Sequence, residues 1–192
     1  MPKGGADAES TVYVDIFQKG RIRPEDLPVP GLRAGDVPAI LSLQDAVYEG
    51  LPDKNTFVRL TEEEVRTSID LDACLSVFCG DVLAAYTLVV ANRISPPNLG
   101  SYLEYSEEEM KECVTYDTTF VHPDFRGYGL QKQFIAWKDE EGRRMGAKWA
   151  LCTVSPDNPN SLNNTLRAGF EIVEEKEMYG GIRRYVLRKA LV

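Results

Sequence analysis

The chain has 192 residues, a formal net charge of −8 at pH 7 and 43% hydrophobic residues, which fits one globular domain with a core of its own. The negative charge disfavours nucleic acid as a partner, because phosphates attract clustered lysine and arginine, and no apolar run approaches the roughly 18–20 residues that span a bilayer. Since the polar start MPKGGADAES also lacks the apolar core of a signal peptide, we expect a cytoplasmic protein that binds neither nucleic acid nor membrane.

The start of the chain predicts a tail, a strand and a long connection. Residues 1–10 are polar and predict a flexible N-terminal tail. The alternating, β-branched stretch TVYVDIF (residues 11–17) predicts a strand. Prolines in residues 18–32 indicate a connection, with a second short strand near residues 21–23.

Two helices and a hairpin follow. Asp36 is expected to cap the first helix, which carries apolar side chains at helical spacing. Thr61 and Glu64 form a capping-box pattern that predicts the start of a second helix. Residues 74–92 (CLSVFCGDVLAAYTLVVAN) predict two strands that are joined by a Gly-Asp turn.

The centre of the chain predicts an insertion and then a strand–helix–strand unit. Residues 93–112 are interpreted as the insertion, a loop followed by a short acidic helix that a serine caps. The next elements are a strand at 114–121, a helix at 130–145 and a nearly continuous apolar strand at 148–154, as expected at the centre of a sheet. Such a crossover is right-handed and makes its two strands parallel.

The last part of the chain predicts one more helix and a final hairpin. NPNSLNNTLRAG predicts a helix with Pro159 at its start and Gly169 at its end, and FEIVEEKEM and RRYVLRKAL predict two strands. The element order is therefore β-α-α-β-β-β-α-β-α-β-β. We expect a single α/β domain over residues 11–192, of the α+β kind with a central mixed sheet and helices on both faces.

The stretch FVHPDFRGYGLQKQF has two glycines and an arginine where a strand becomes a helix. A helix N-terminus carries unsatisfied N–H groups and the positive end of the helix dipole, and a loop without side-chain bulk lets an anion approach them. Arg126, Gly127 and Gly129 therefore favour a phosphate or pyrophosphate as ligand. The pattern is neither a P-loop nor a dinucleotide fingerprint. The alternative is a tight turn whose glycines only permit the backbone path.

The segment VHPDFRGYGLQKQF resembles the acyl-CoA-binding motif of the GNAT superfamily of N-acyltransferases. SPDNPNSLNNTLRAGFEIV is similar to the Asn-x-x-Ser/Ala…Gly-Phe segment of the same family. The resemblance extends over residues 32–190 and is strongest over 114–173, and the predicted element order is also that of the family. It implies a GNAT-like N-acetyltransferase domain of a bacterial type, with acetyl-CoA or coenzyme A as cosubstrate and no metal.

The resemblance also implies which groups hold the cosubstrate. The backbone N–H groups expected to bind the pyrophosphate belong to Arg126, Gly127, Tyr128, Gly129, Leu130 and Gln131. The residues expected to contact the pantetheine arm, where the two central parallel strands splay apart, are Thr119, Phe120, Val121, Asn158 and Ser161. Gln131 departs from the usual Gly or Ala of the family, which preserves the backbone donor and adds a side chain beside the phosphates.

Acyl transfer to an amine needs a proton acceptor and a donor for the tetrahedral oxyanion. The resemblance implies the backbone N–H of Val121 as the oxyanion donor. Alternate residues of the strand are expected to share one face. They are Thr115, Asp117, Thr119 and Val121. Asp117 is the titratable member and therefore the candidate general base, either directly or through a water; a strand polar group bonded to nearby backbone is its alternative role.

Other residues carry weaker chemical signals. Glu104 and Glu112 are alternative bases if the insertion folds over the acceptor site. Many family members have a tyrosine acid where this chain has Thr165, so water or another tyrosine is expected to protonate the leaving thiolate. His122 is expected to contact solvent or its own loop. Cys152 is expected to pack beside the arm, because no histidine is placed to activate it.

The prediction is an N-acetyltransferase that moves an acetyl or other short acyl group from acetyl-CoA to a primary amine by direct attack. The acceptor is a small-molecule or peptide amine, and a small amine, a polyamine, an amino acid, an antibiotic and a protein N-terminus all fit. Two alternatives stay open: a catalytically inactive acyl-CoA-binding regulatory module, and an anion-binding domain that does not use CoA. The sequence also allows a homodimer through an edge strand or a helix face.

Overall fold

The structure is a computed structural model that describes residues 11–13, 36–79, 82–91 and 98–191. The described strands are β1 (Thr11–Tyr13), β2 (Ala73–Cys79), β3 (Val82–Val90), β4 (Cys113–Val121), β5 (Trp149–Val154), β6 (Glu171–Met178) and β7 (Ile182–Ala190). The described helices are α1 (Val37–Glu49), α2 (Glu62–Leu71), α3 (Glu107–Lys111), α4 (Leu130–Arg144) and α5 (Pro159–Arg167). The predicted tail, most of the first predicted strand, the connection at 18–32 with its second short strand, and the predicted Gly-Asp turn lie outside the described residues.

The described strands form a mixed, seven-stranded sheet in the order β1-β2-β3-β4-β5-β7-β6. Two neighbouring pairs, β1/β2 and β4/β5, are parallel. The other neighbours are antiparallel, including the final β6–β7 hairpin. The predicted element order is confirmed, and so is the crossover in which α4 connects the parallel strands β4 and β5. The short helix α3 lies in the predicted insertion.

Helices cover both faces of the sheet, as the sequence predicts. On one face α1 and α2 bring Ile40 and Val65 into an apolar cluster with Leu88 of β3. On the opposite face α4 packs Phe134 against a cluster that contains Leu75 of β2. The sheet is therefore the middle layer between two apolar cores, which fixes the positions of its strand ends and loops.

Two of the three predicted N-cap side chains form capping hydrogen bonds. Thr61 and Ser106 each form a capping box, with their hydroxyls accepting hydrogen bonds from the N–H groups of Glu64 (3.2 Å) and Glu109 (3.3 Å). Asp36 occupies the N-cap position of α1, but its side chain makes no capping hydrogen bond. Its backbone is already helical, with φ −84° and ψ −10°, whereas a capping side chain needs an extended backbone to reach the free N–H groups.

The central strand β4 contains a bulge. Residues 116–119 of β4 span the same part of the ladder as residues 87–89 of β3, so β4 has one extra residue at Asp117 and Thr118. Beyond this bulge β4 separates from β5, because the two strands pair only over residues 113–115 of β4. The separation leaves an opening in the middle of the sheet.

The described helices are too short and too polar to cross a membrane. The longest of them, α4, has 15 residues, whereas a membrane-spanning helix needs about 20 apolar residues. Their apolar side chains pack against the sheet instead.

Gly142 of α4 faces the sheet at a close approach. A Cβ at this position would lie 2.6 Å from Cδ1 of Leu191 and 3.1 Å from Cγ2 of Val114, and both side chains are fully buried. We expect Gly142→Ala to lower the free energy of unfolding by up to about 2 kcal/mol, because an overpacking cost of about 1–3 kcal/mol outweighs a gain in helix propensity of about 1 kcal/mol. Urea unfolding measures this change.

The exposed position Ala136 of α4 provides the propensity control, since Ala136→Gly reports the cost of glycine in this helix without a packing change. If Gly142→Ala stabilises the protein by the amount that Ala136→Gly destabilises it, the close packing of α4 on the sheet is contradicted.

Candidate active site

A cavity of about 410 Å³ opens where β4 and β5 separate. At one end its wall contains Gln131 from the first turn of α4 and Asn158 from the start of α5. At the other end its wall contains Phe57, from the connection between α1 and α2, and Tyr179, from the β6–β7 turn. A cleft that runs from the first turns of α4 and α5 along the part of β4 that does not pair with β5 can bind an extended ligand.

The glycine loop leads into α4 in the conformation that its sequence requires. Gly127 and Gly129 have φ of 87° and 76°, values that glycine adopts without the strain a side chain would add. The first backbone hydrogen bond along α4 runs from the N–H of Gln133 to the carbonyl of Gly129, at 3.2 Å. The N–H groups of Leu130 and Gln131 therefore have no acceptor within the helix, as at any helix N-terminus.

Helix α5 contacts the first turn of α4 beside the cavity. Nδ2 of Asn164 donates to Oε1 of Gln131 at 2.7 Å. Oδ1 of Asn158 accepts the N–H of Ser161 at 3.1 Å and caps α5, and an asparagine engaged in this way keeps its amide NH₂ to donate. The predicted cosubstrate residues Gln131, Asn158 and Ser161 all lie in the cavity wall.

The backbone of β4 beyond the bulge turns N–H groups toward the side of the opening, whose described wall contains Thr119 and Phe120 but not Val121. The N–H of His122 donates to the carbonyl of Ala84 in β3 at 2.9 Å. Hydrogen-bonded and non-bonded pairs alternate along an antiparallel ladder, so the N–H of Phe120 also faces β3. The N–H groups of Thr119 and Val121 consequently point away from β3, to the side on which β5 has separated.

The bulge makes the predicted shared face of β4 wrong. The prediction put four side chains together, those of Thr115, Asp117, Thr119 and Val121. Oγ1 of Thr115 accepts the N–H of Leu99 at 3.1 Å, on the face opposite α4. Oγ1 of Thr119 accepts a hydrogen bond from Lys138 of α4, and Val121 packs in the cluster under α4. The physical reason is the extra residue, which shifts the alternation by one position.

Asp117 lies in the cavity wall at the bulge and is half-buried. Burial raises the pKa of its carboxyl, and the positive charge of Lys138 opposes that rise. Oγ1 of Thr118 lies 3.4 Å from Oδ1 of Asp117, a long hydrogen bond. A carboxylate with a raised pKa beside a cavity can accept a proton from a bound ligand.

Lys138 is a member of the site that the sequence analysis missed. It is 2% exposed, and its Nζ donates to the carbonyls of Asp117 (3.0 Å) and Thr118 (3.3 Å) and to Oγ1 of Thr119 (3.2 Å). Burial lowers its pKa to about 8, while the Asp117 carboxylate acts in the opposite direction. Its position four residues after the buried Phe134 was the signal that could have identified it.

Two further residues of the cavity wall come from the last hairpin. Tyr179 is at the turn, and Arg184 is on β7. Nη1 of Arg184 donates to the carbonyl of Thr56 at 3.1 Å. Arg184 is two residues from the fully buried Val186, and the alternation of β7 could have indicated that both face the interior.

The alternative bases lie elsewhere. Glu104 is exposed, and Glu112 binds Lys148 on the surface at 2.6 Å between Oε1 and Nζ. Neither is part of the cavity wall, to which the insertion contributes Leu99 and Tyr102 instead. Thr165 does line the cavity, but its hydroxyl donates to the carbonyl of Ser161 within α5, at 2.9 Å.

His122 and Cys152 are found in the structural roles that the sequence predicts. Nδ1 of His122 accepts the N–H of Asp124 at 3.3 Å, a contact within its own loop. Burial raises the pKa of the Cys152 thiol to about 12, which keeps it protonated at neutral pH. Within the described ranges, no three His, Cys, Asp or Glu side chains are grouped as a metal site.

The fold has counterparts among solved structures, although no protein-family model and no curated protein matches the chain in sequence. The match with yncA of Salmonella typhimurium, whose structure holds its cofactor acetyl-CoA, has a TM-score of 0.62 at 13% identity and covers 84% of this chain and 91% of that chain. An acetyltransferase of the GNAT family from Streptococcus pneumoniae has a TM-score of 0.61 at 15% identity, with 83% and 96% covered.

A third solved structure has a named acceptor class. The ribosomal-protein-alanine N-acetyltransferase from Brucella melitensis has a TM-score of 0.62 at 18% identity, and the match covers 85% of this chain and 99% of that chain. These similarities establish that the chain has the fold of the GNAT acetyltransferases, as its two motifs predict.

The buried Lys138 predicts a specific pH dependence of stability. Its pKa is about 8 in the folded protein against an ordinary value of 10.5. Between these values the unfolded chain holds a proton that the folded protein has released, so stability rises with pH. Above pH 8 we expect the free energy of unfolding of wild type, relative to that of Lys138→Met, to rise by up to about 1.4 kcal/mol per pH unit. Urea unfolding measures this difference.

The quantity to compare is the difference in free energy of unfolding between wild type and Lys138→Met at each pH. The buried thiols of Cys74 and Cys152, whose pKa values burial raises to about 12, lower stability at alkaline pH in both. Lys148→Met, which removes an exposed lysine, is the charge control. Parallel pH curves for wild type and Lys138→Met would contradict a pKa near 8 for Lys138.

Proposed function

We propose that this chain, which has the fold of the GNAT acetyltransferases, transfers an acetyl or other short acyl group from CoA to a primary amine by direct attack. The observation that carries the proposal is the opening between β4 and β5. It adjoins the first turn of α4 at one end and contains the Asp117 carboxyl in its wall.

In this proposal the pyrophosphate and the pantetheine arm of the cosubstrate bind two different parts of the site. The pyrophosphate binds the backbone N–H groups of residues 126–131, because the helix start supplies free donors and the glycines allow close approach. The pantetheine arm runs into the opening and pairs with the backbone at Thr119 and Val121. Asn158 and Ser161 contact the arm from the start of α5.

The proposed reaction needs no covalent enzyme intermediate. Asp117 accepts a proton from the acceptor ammonium, directly or through a water, and the free amine attacks the thioester carbonyl. The N–H of Val121 donates to the oxyanion of the tetrahedral intermediate. The attacking nitrogen loses its second proton to solvent as the intermediate collapses to the amide, and the C–S bond breaks to release CoA as a thiolate.

Protonation of the thiolate has candidate groups among the tyrosines of the described cavity wall, where Tyr102 belongs to the insertion and Tyr179 contacts β5. Thr165 is bound within α5, and the hydroxyl of Tyr116 donates to Asp139 at 2.7 Å. Tyr179 lines the cavity near Thr153, and burial raises its pKa, which keeps its O–H available as a donor. Tyr179 or a water is therefore the proposed proton source.

An acyl-CoA-binding module without turnover is the second candidate. The hydrogen bond between Asn164 and Gln131 favours it, since this contact holds the side chain of Gln131, which lines the cavity and replaces a small residue of the family motif. Such a module would bind acetyl-CoA and release no free CoA when amines are added. A cytoplasmic location and a homodimeric state also remain proposals.

The proposed base predicts the kinetics of Asp117→Asn. We expect kcat to fall by about 10²- to 10⁴-fold, measured as amine-dependent release of free CoA thiol with the best acceptor from an amine panel. The dissociation constant for acetyl-CoA should stay within a few fold. Because burial raises the Asp117 pKa, wild-type kcat/KM should decline as pH falls through that raised value.

Glu104→Gln and Glu112→Gln are matched controls, because both remove a carboxylate outside the cavity. They should retain near wild-type kcat. Undiminished turnover in Asp117→Asn would exclude Asp117 as the base. Acetyl-CoA binding without thiol release for any amine would favour the inactive module.

A further inference from the structure

A buried guanidinium lies at the end of the cavity away from the glycine loop. Arg184 is 7% exposed and forms part of the cavity wall. Its Nη1 donates to the carbonyl of Thr56, and its guanidinium carbon is 5.7 Å from the centroid of the Tyr179 ring. Its Nε is buried and has no hydrogen-bond partner in the described part of the chain.

Arg184 differs from the arginines on either side of it in β7. Arg183 pairs with Glu175 at 2.8 Å and Arg188 pairs with Glu171 at 3.1 Å, both near the surface. For Arg184, no carboxylate among the described residues lies within ion-pair distance. Burial lowers the pKa of Arg184 accordingly. A buried cation without a counterion is unfavourable unless a ligand supplies the negative charge.

The cosubstrate is not the source of that charge. Its pyrophosphate is proposed to bind at residues 126–131, at the opposite end of the cavity. Arg184 lies beside Thr56 and Tyr179, in the part of the cavity that the proposed function leaves to the acceptor. A guanidinium binds a carboxylate through charge-assisted hydrogen bonds, and the Nη1 of Arg184 is already engaged with Thr56.

We propose that the acceptor is a small amino carboxylate, such as a free amino acid, whose carboxylate binds Arg184 while its amine faces Asp117. Both residues line the same cavity. The acceptor has to share about 410 Å³ with the acyl end of the arm, which limits its size. This inference rests on the proposed acetyl transfer and specifies its substrate class.

The direct test compares matched acceptors on the wild-type protein. Each free amino acid of a panel is assayed for CoA release beside its carboxamide and its decarboxylated amine, with taurine and phosphoethanolamine as other anionic amines. We expect at least one amino acid to exceed its own carboxamide by about 10- to 100-fold in kcat/KM, the value of charge-assisted hydrogen bonds. The sulfonate and phosphate amines should be poorer acceptors.

Arg184→Gln tests the residue itself. It should remove the preference of the best amino acid over its carboxamide, mainly through KM, and leave the dissociation constant for acetyl-CoA unchanged. Arg183→Gln is the matched control, because it removes the neighbouring positive charge outside the cavity. It should keep the preference. If Arg184→Gln does not fold, the wild-type panel still decides the question.

The outcomes separate this inference from the proposed function. Acetylation of carboxamides or plain amines as well as the amino acids contradicts the amino-carboxylate acceptor and leaves acetyl transfer standing. Binding of acetyl-CoA without acetylation of any amino acid overturns the inference too. A protein that binds no acetyl-CoA and releases no thiol overturns the proposed function itself.

Discussion

The extra residue in β4 is the constraint on which the candidate site depends. It places Asp117 and Thr118 opposite a single residue of β3, and β4 separates from β5 beyond that point. A separated strand would leave backbone polar groups unpaired inside the protein, which is costly. The buried ammonium of Lys138 offsets part of this cost by donating to two carbonyls at the bulge. The hydrogen bonds of Lys138 therefore stabilise the opening between β4 and β5.

The same bulge determines which groups of β4 face the opening. By shifting the alternation of β4, it leaves Thr119 and Val121 with side chains toward α4 and N–H groups toward the opening. Asp117 stays in the wall of the cavity, where burial raises its pKa. The proposed proton acceptor and the proposed oxyanion donor thus come from one strand, within a few residues of each other. Catalysis by proximity and proton removal requires little more than this arrangement and a bound thioester.

Besides the exposed Arg59 and Glu64, the described cavity wall contains three charged side chains that are buried or half-buried, and these three are held in different ways. Lys138 is surrounded by backbone carbonyls and a hydroxyl of β4. Asp117 is balanced in part by Lys138. Arg184 has one carbonyl contact, and the charge that would balance it is absent from the described residues. Arg184 is thus the least satisfied of the three, as expected if the proposed acceptor supplies its counter-charge.

Much of this fold could be predicted from the sequence, because its elements carry local signals. The capping boxes at Thr61 and Ser106 and the glycine loop depend on neighbouring residues alone. The two motifs around residues 120–134 and 155–173 indicated the fold for the same reason, and the cosubstrate groups that they imply stay predictions. The bulge could not be predicted, since it depends on how β4 registers with β3 and leaves no local sequence signal.

The wrong predictions about β4 side chains follow from the register of β4 with β3. Strict alternation put Thr119 and Val121 on the wrong face, and Lys138 and Arg184 were missed because their partners are distant in sequence. Arg184 contacts the carbonyl of Thr56, 128 residues away. The failed cap at Asp36 has a different cause, a backbone that is already helical at that residue.

The most direct test of the central claim is residue-resolved amide hydrogen exchange with acetyl-CoA and, separately, with inorganic pyrophosphate. If the opening in the sheet holds the pantetheine arm, acetyl-CoA slows exchange at Thr119, Val121 and residues 126–131, whereas pyrophosphate protects only 126–131. If acetyl-CoA binds and leaves the exchange of Thr119 and Val121 unchanged, the opening between β4 and β5 is not the cosubstrate site.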